Sequence, residues 1–343
     1  MKHIELHILQ SFPVSCLNRD DLNSPKTAVF GGVQRARVSS QCWKRAVREL
    51  AKEIQPDAFK GERTRFIIKP LIEALKKQGK KEQDANELAK KIAAELATKD
   101  TDEKTKTLFF STIGELETFA SEYVKAKNDT AAKNAIKKLL GKTPDDAADI
   151  ALFGRMVASD YTVKLEGAAM FSHALSTHKV DNEIDFFSAI DDMQSKEEVG
   201  AGMTGSLEFN SATYYRFAAL NLDMLFDDDH LACLSPRERK DVVRAFVKAT
   251  LQAVPVARRN SMNGNVSPSY VLCVIREKGH PIQLVNAFEE PIISKNGVVR
   301  KSIEALEAEY KKLNDTWNLS GTEIKMPDKN LNVLLQEVEK HVN

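Results

Sequence analysis

The chain has 343 residues, of which 42% are hydrophobic and 29% charged, and its formal net charge is +1. That is the composition of an ordinary globular protein, long enough for one large core or two to three domains, and it excludes a chain that is basic throughout. No apolar run approaches the roughly 20 residues of a membrane span, and Cys16, Cys42, Cys233 and Cys273 are too scattered for a disulfide framework or a zinc site. The expectation is a cytoplasmic protein with no membrane, metal or cofactor.

Residues 3–11 alternate, with Ile4, Leu6 and Ile8 set against His3, Glu5 and His7, which predicts a strand rather than a signal peptide. A polar loop rich in Pro, Asn, Asp and Gly follows and ends in a Gly-Gly turn. "VQRARV" then alternates again and places Arg35 and Arg37 on one strand face. Ser39 or Ser40 is an expected N-cap for a helix from about Gln41 to Ile54. Trp43, Ala46, Val47 and Leu50 share its apolar stripe, so Lys44, Arg45 and Arg48 are expected to project away from the core.

Five cations thus fall between positions 35 and 48 with no acid before Glu49, although the whole chain is nearly neutral. A helix start offers free amides and the positive end of the dipole, which suits a phosphate. Ser39, Ser40 and Gln41 supply that start. Lys44, Arg45 and Arg48 extend the field along the helix, and Arg35 and Arg37 extend it along the strand. Arg19 and Lys26 add to it if the loop folds back. The pattern suits successive phosphates of a single strand. The bland alternative is a solvated helix face with arginines paired to acids elsewhere.

From about 58 to 145 the sequence turns rich in Ala, Lys, Glu and Leu, and predicts a helical insertion of about four helices. Lys125, Lys127, Lys133, Lys137, Lys138 and Lys142 make a second basic cluster there. β-patterned segments return after it. Phe186, Phe187 and Met203 lie in or beside a Gly-containing stretch, where apolar side chains on loops often meet bases or a partner; the plainer alternative, favoured by the residues alone, is that they pack back on their own domain. Ser235, Pro236 and Glu238 announce a capped helix over 235–253. "SPSYVLCVIRE" predicts a strand, and 299–314 and 328–342 predict helices. Without the insertions the order of elements fits an α+β, ferredoxin-like or RRM-like core.

No P-loop, G-x-S-x-G, H-E-x-x-H or strand-borne G-x-G-x-x-G is present. His173 and His178 are five apart on an expected strand, so they point to opposite faces and do not jointly ligate a metal.

"SCLNRDDLNSPKTAVFGGVQRARVSSQCWKRAVR", "ALFGRMVAS", "GAAMFSHALSTHKVDNEIDFFSAIDD", "LEFNSATYYRFAALNL", "VPVARRNSMNGNVSPSYVLCVI" and "NAFEEP" together resemble the CasC-type backbone subunit of Cascade, the type I-E CRISPR surveillance complex. The resemblance spans nearly the whole chain and is weakest over 58–145. It implies a modified RRM-like (ferredoxin-like) palm, a helical fingers insertion and a thumb hairpin. The implied boundaries are palm at 1–57, fingers at 58–168, a palm strand at 169–179, thumb at 180–209, and palm with C-terminal helices at 210–343. It also implies copies stacked head-to-tail along CRISPR RNA, beside other Cascade subunits, presenting bases to target DNA without cutting it. By resemblance, RNA contacts fall on Arg19, Lys26, Ser39, Ser40, Gln41, Lys44, Arg45, Arg48 and Met156. The thumb wedge falls on Phe187, with Met203 or Thr204, and non-specific DNA contacts fall on Lys133, Lys137 and Lys138. The rival expectation is a backbone subunit that cleaves target RNA with a divalent metal held by Asp20 or Asp21.

Overall fold

The computed structural model describes residues 1–98, 101, 103–156, 164–189 and 203–343. Within the expected thumb, residues 190–202 lie outside the described set, as do 99, 100, 102 and 157–163 of the expected fingers. The first third runs β1 (His3–Ser15), β2 (Thr27–Phe30), β3 (Val33–Val38), α1 (Ser40–Ile54), β4 (Glu62–Thr64), α2 (Ile68–Lys77) and α3 (Glu82–Leu96). Then come β5 (Phe109–Ser111), α4 (Ile113–Lys125), α5 (Asp129–Leu140), α6 (Ala148–Phe153), β6 (Arg155–Met156), β7 (Lys164–Leu165), β8 (Ala169–Phe171) and β9 (Ala174–Ser176). β10 (Glu183–Ala189) and the long β11 (Met203–Asn221) lead to α7 (Leu222–Leu225), α8 (Pro236–Gln252), α9 (Arg259–Met262) and β12 (Tyr270–Arg276). A 3-10 turn (Val285–Phe288), α10 (Val299–Trp317), β13 (Thr322–Met326) and α11 (Leu331–Lys340) complete the chain.

The main sheet has the order β13-β12-β1-β11-β9-β3-β2, with β8 and β10 also pairing β11. β1 lies antiparallel between β11 and β12, so its expected alternation holds, but the structure covers both of its faces. Ile4, Leu6 and Ile8 pack with α1, α8 and α11, whose apolar stripes include Val47, Phe246 and Leu335. Leu9, together with Tyr215 and Leu272, packs under α10 and the 3-10 turn through Phe288, Leu306 and Tyr310.

On that second face His3, Glu5 and His7 are fully buried. Burial alone would raise the Glu5 carboxyl, but the hydrogen bond with His3, the His7 ring 3.5 Å away and the donating Ile282 amide outweigh it and hold it at about 2. Arg276 adds a charged contact at 3.3 Å.

Helices α2 to α5 form a second core around Leu71, Ile92, Phe119 and Ile136. The short β4–β5 ladder, with Arg63 opposite Phe110, ties this helical module to the sheet domain. α6 instead gives Ala148, Ala151, Leu152 and Phe153 to the main core. Arg155 locks the joint between the two. Its buried guanidinium donates to Glu115 at 2.7 Å, to the Phe110 carbonyl at 3.2 Å and to the Leu140 carbonyl at 2.9 Å.

Candidate nucleic-acid interface

The basic corner is built around the start of α1. Ser39 is the N-cap, its Oγ accepting from the Cys42 amide, while its own amide donates to Asn18 Oδ1 at 2.9 Å. The amides of Ser40 and Gln41 have no acceptor among the described residues. Trp43, Ala46 and Val47 are buried and Leu50 packs partly buried against the core, as the periodicity predicts, and Ala51 joins them. Lys26 reaches the corner because its strand edge is hydrogen-bonded to β3, with the Arg37 amide donating to the Lys26 carbonyl at 2.9 Å.

Ser40, Lys44, Arg48 and Lys52 stand four residues apart and form one row along α1, rising about 6 Å per step. Lys44 and Arg48 do not simply project into water. Both are half-buried, with Lys44 Nζ 5.9 Å from the centre of the Phe171 ring and the Arg48 guanidinium 5.1 Å from that of Phe110. Neither has a carboxylate within ion-pair distance among the described residues, and Arg48 Nη1 is buried with no hydrogen-bond partner. An orphaned donor of this kind costs about 1–3 kcal/mol, so a ligand that accepts from it is favoured. Lys52 closes the row and is paired with Glu62.

Arg63 was not singled out from the sequence. It lies on β4 with its guanidinium 4.6 Å from the Phe110 ring centre. Burial lowers its pKa and the neighbouring Arg48 lowers it further. Burial and Arg63 do the same to Lys44. The three cations therefore share one field. Asp149 lies below them, buried, its Oδ1 accepting from the Gly61 amide at 3.2 Å and its Oδ2 without a hydrogen-bond partner among the described residues. Burial pushes its carboxyl up to about 6 against the pull of Arg48. A Cβ on Gly61 would meet both carboxylate oxygens at 2.5 Å and the Phe110 ring at 2.6 Å, so only glycine fits between them.

Three expected contacts are placed differently. Arg35 is fully buried on the sheet face away from Trp43. It donates to the carbonyls of Phe30 (3.2 Å), Ser176 (3.0 Å), Phe288 (2.8 Å) and Glu289 (3.2 Å). Its donors are occupied by backbone, which rules out phosphate contact. The adjacent Gly31, at φ +59°, leaves room for the Glu289 carbonyl rather than for a ligand. Arg45 is exposed but holds Glu49 at 2.8 Å one turn on. Arg37 donates to the Thr27 carbonyl at 3.0 Å and sits 3.3 Å from His173 Nδ1; burial, Arg37 and Lys26 all lower the His173 pKa.

In the first loop Arg19 is exposed and donates to Asn23 at 3.1 Å. Asp20 Oδ1 accepts from the Leu22 and Ser24 amides, which fixes the turn, while Asp21 is exposed. Among the described residues no three His, Cys, Asp or Glu side chains converge on a metal-sized site. His178 is turned to backbone: its Nε2 accepts from the Thr213 amide at 3.2 Å.

The β10–β11 hairpin separates its apolar residues by face. Phe187 pairs with Gly205 and Met203 with Ala189, so Phe187 and Met203 share one face. Thr204, opposite Ser188, is on the other face with Ile184 and Phe186. Phe187 (41% exposed), Met203 (61%), Phe186 (70%) and Met156 (68%) are large apolar side chains open to solvent. Met156 follows the locked Arg155. In the helical module Lys133 is paired with Glu95 at 2.8 Å, and Lys137 and Lys138 are exposed on α5.

A family model for CT1975-like proteins matches residues 4–340. The chain belongs to the CT1975-like protein family. Its fold is similar to that of a chain in a solved structure described as "CRISPR RNA-guided surveillance complex, pre-nicking". The TM-score is 0.81 at 27% identity, over 99% of this chain and 100% of that one. A chain from a second "CRISPR RNA-guided surveillance complex" shares the fold at a TM-score of 0.62 and 23% identity, over 98% and 99%. No curated protein sequence matches it.

Proposed function

We propose that the chain is a non-catalytic, cytoplasmic backbone subunit of a type I-E CRISPR surveillance complex. In this reading it grips CRISPR RNA by its phosphates. Copies stack head-to-tail beside other subunits, an open heterologous arrangement whose length the RNA sets. The observation that carries the reading is the row Ser40, Lys44, Arg48, in which free amides lead into two cations that lack carboxylate partners among the described residues.

Such a row recognises backbone charge and leaves base edges free to pair with target DNA. The hairpin supports a kink at regular intervals, because Phe187 and Met203 on one face make an apolar wedge that selects no base. Thr204 lies on the opposite face of the hairpin, which favours Met203 as the second wedge residue. The exposed Lys137 and Lys138 are the candidates for non-specific DNA contact.

Purified protein should carry RNA, read as a raised 260/280 nm absorbance ratio. The double substitution Lys44→Ala/Arg48→Ala should remove it, and an unchanged ratio and salt dependence in that variant would sink the assignment. The cleaving alternative predicts periodic cuts in complementary RNA that require Mg²⁺ and Asp20 or Asp21. The engagement of Asp20 with two loop amides favours the non-catalytic role.

A further inference from the structure

We infer that Arg63 of the helical module, with Arg48 of α1 and the Phe110 ring between their β-strand and helix, forms a distinct phosphodiester subsite at the junction of the two cores. The inference rests on the proposed RNA-binding role and extends it from the sheet domain to the fingers module.

Four observations converge. Arg63 and Phe110 are directly paired across β4 and β5, so they occupy one face of that ladder. Both guanidinium groups lie against the same ring, at 4.6 and 5.1 Å from its centre. Burial lowers the Arg63 pKa most, and repulsion from Arg48 lowers it further against the pull of Asp149, so the two like charges feel one another. Of the nearby acids, Glu62 is held by Lys52, and Asp149, although it attracts both guanidinium groups from below, is not within ion-pair distance of either among the described residues. An anion with several acceptor oxygens satisfies both forks and the buried Arg48 Nη1 at once. A nucleic-acid strand following Ser40, Lys44 and Arg48 along α1 runs directly into this pair, which is why a backbone phosphate is assigned rather than an isolated carboxylate from another chain.

The subsite also gives the joint a function. A phosphate bridging Arg48 and Arg63 links α1 to β4, so RNA binding would fix the helical module against the sheet domain.

The test compares the full-length wild type with Arg63→Gln and Arg63→Lys, using fluorescence anisotropy on a labelled single-stranded RNA over a range of salt. Inorganic tripolyphosphate in thermal melts is the second probe. Arg63→Gln is expected to weaken RNA binding about fivefold and to reduce the log–log salt slope by about 0.7, one phosphate contact. It should also abolish stabilisation by tripolyphosphate while leaving the ligand-free melting temperature unchanged. Arg63→Lys should keep the salt slope and lose affinity, because a point charge replaces a stacked fork. An unchanged slope and unchanged tripolyphosphate response in Arg63→Gln would overturn the subsite. So would a variant that binds RNA normally yet loses self-association without RNA, since that result assigns Arg63 to a carboxylate of a second copy. A wild type that takes up tripolyphosphate through Arg63 but binds no RNA keeps the anion site and overturns the RNA reading instead.

Discussion

The two halves of β11 reverse the usual placement of charge and grease. Residues 210–221 lie inside the main sheet and bury Arg216, whose guanidinium stacks 3.6 Å from the Trp43 ring centre. It donates to Gln10 Oε1 and to the Thr250 carbonyl, and burial lowers its pKa to about 9. Among the described residues, 203–209 pair with β10 alone and leave Phe187, Met203 and, on the other side, Ile184 and Phe186 exposed. A two-stranded ribbon is marginal by itself, and these side chains add nothing to a core. The buried charge therefore serves the fold, by supporting α1 from beneath, whereas the exposed apolar groups are left available for the contact proposed above.

The largest way to break this contrast is Arg216→Ala. It strands two acceptors and removes the stack under Trp43, and should lower folding stability by about 3 kcal/mol, read from the urea midpoint at constant m-value. A midpoint shifted by less than about 0.5 kcal/mol would remove the structural role.

Asp149 sharpens the comparison, because it is a buried charge with an oxygen left unpaired. Its folded pKa of about 6 lies above its ordinary 3.8, so burial disfavours the ionised form. Wild-type stability should rise as pH falls from above 6 towards 4. Asp149→Asn should stabilise the protein by about 1–2 kcal/mol at pH 8 and lose that advantage near pH 4, followed by denaturation across pH.

For the hairpin half, Phe187→Ala combined with Met203→Ser should leave the urea midpoint unchanged and weaken RNA binding about tenfold, in line with the 1–3 kcal/mol of a base–side-chain stack. A loss of stability instead would show that the ribbon packs on its own domain. The smallest effect is expected from Gly205→Ala. Its Cβ would approach the Phe187 ring to 2.6 Å, so the ring must turn, at a cost of about 0.5–1 kcal/mol in binding. Isothermal titration of the hairpin variants resolves a difference of that size.

Local signals were readable in the sequence, and distant partners were not. The start of α1, its apolar stripe, and the capping box of α8 (Ser235 with Glu238) depend on residues within one or two turns, and each stands as expected. The four helices of the insertion follow from their periodicity in the same way. Arg35 looked identical to Arg37 in the alternation of β3. Its fate is decided by carbonyls at 288 and 289, which no short window contains. β13 escaped notice because "TEIKM" is short and mixed, and it becomes a strand by pairing with β12 at the sheet edge. Arg63 was hidden in a three-residue strand inside a stretch that reads as helical, and only its pairing with Phe110 distinguishes it. The hairpin parity that separates Met203 from Thr204 likewise needed the register.

The position of β1 has a consequence for biosynthesis. Both of its neighbours, β11 and β12, are made more than 190 residues later, and the guanidinium of Arg35 finds its last acceptor only at Glu289. A nascent chain leaving the ribosome thus carries an amino-terminal strand with two open edges for most of translation. The helical module, whose core closes between residues 67 and 140, is the part able to mature early. The α1 corner gains its backing only after α8 and the Glu289 carbonyl have been made.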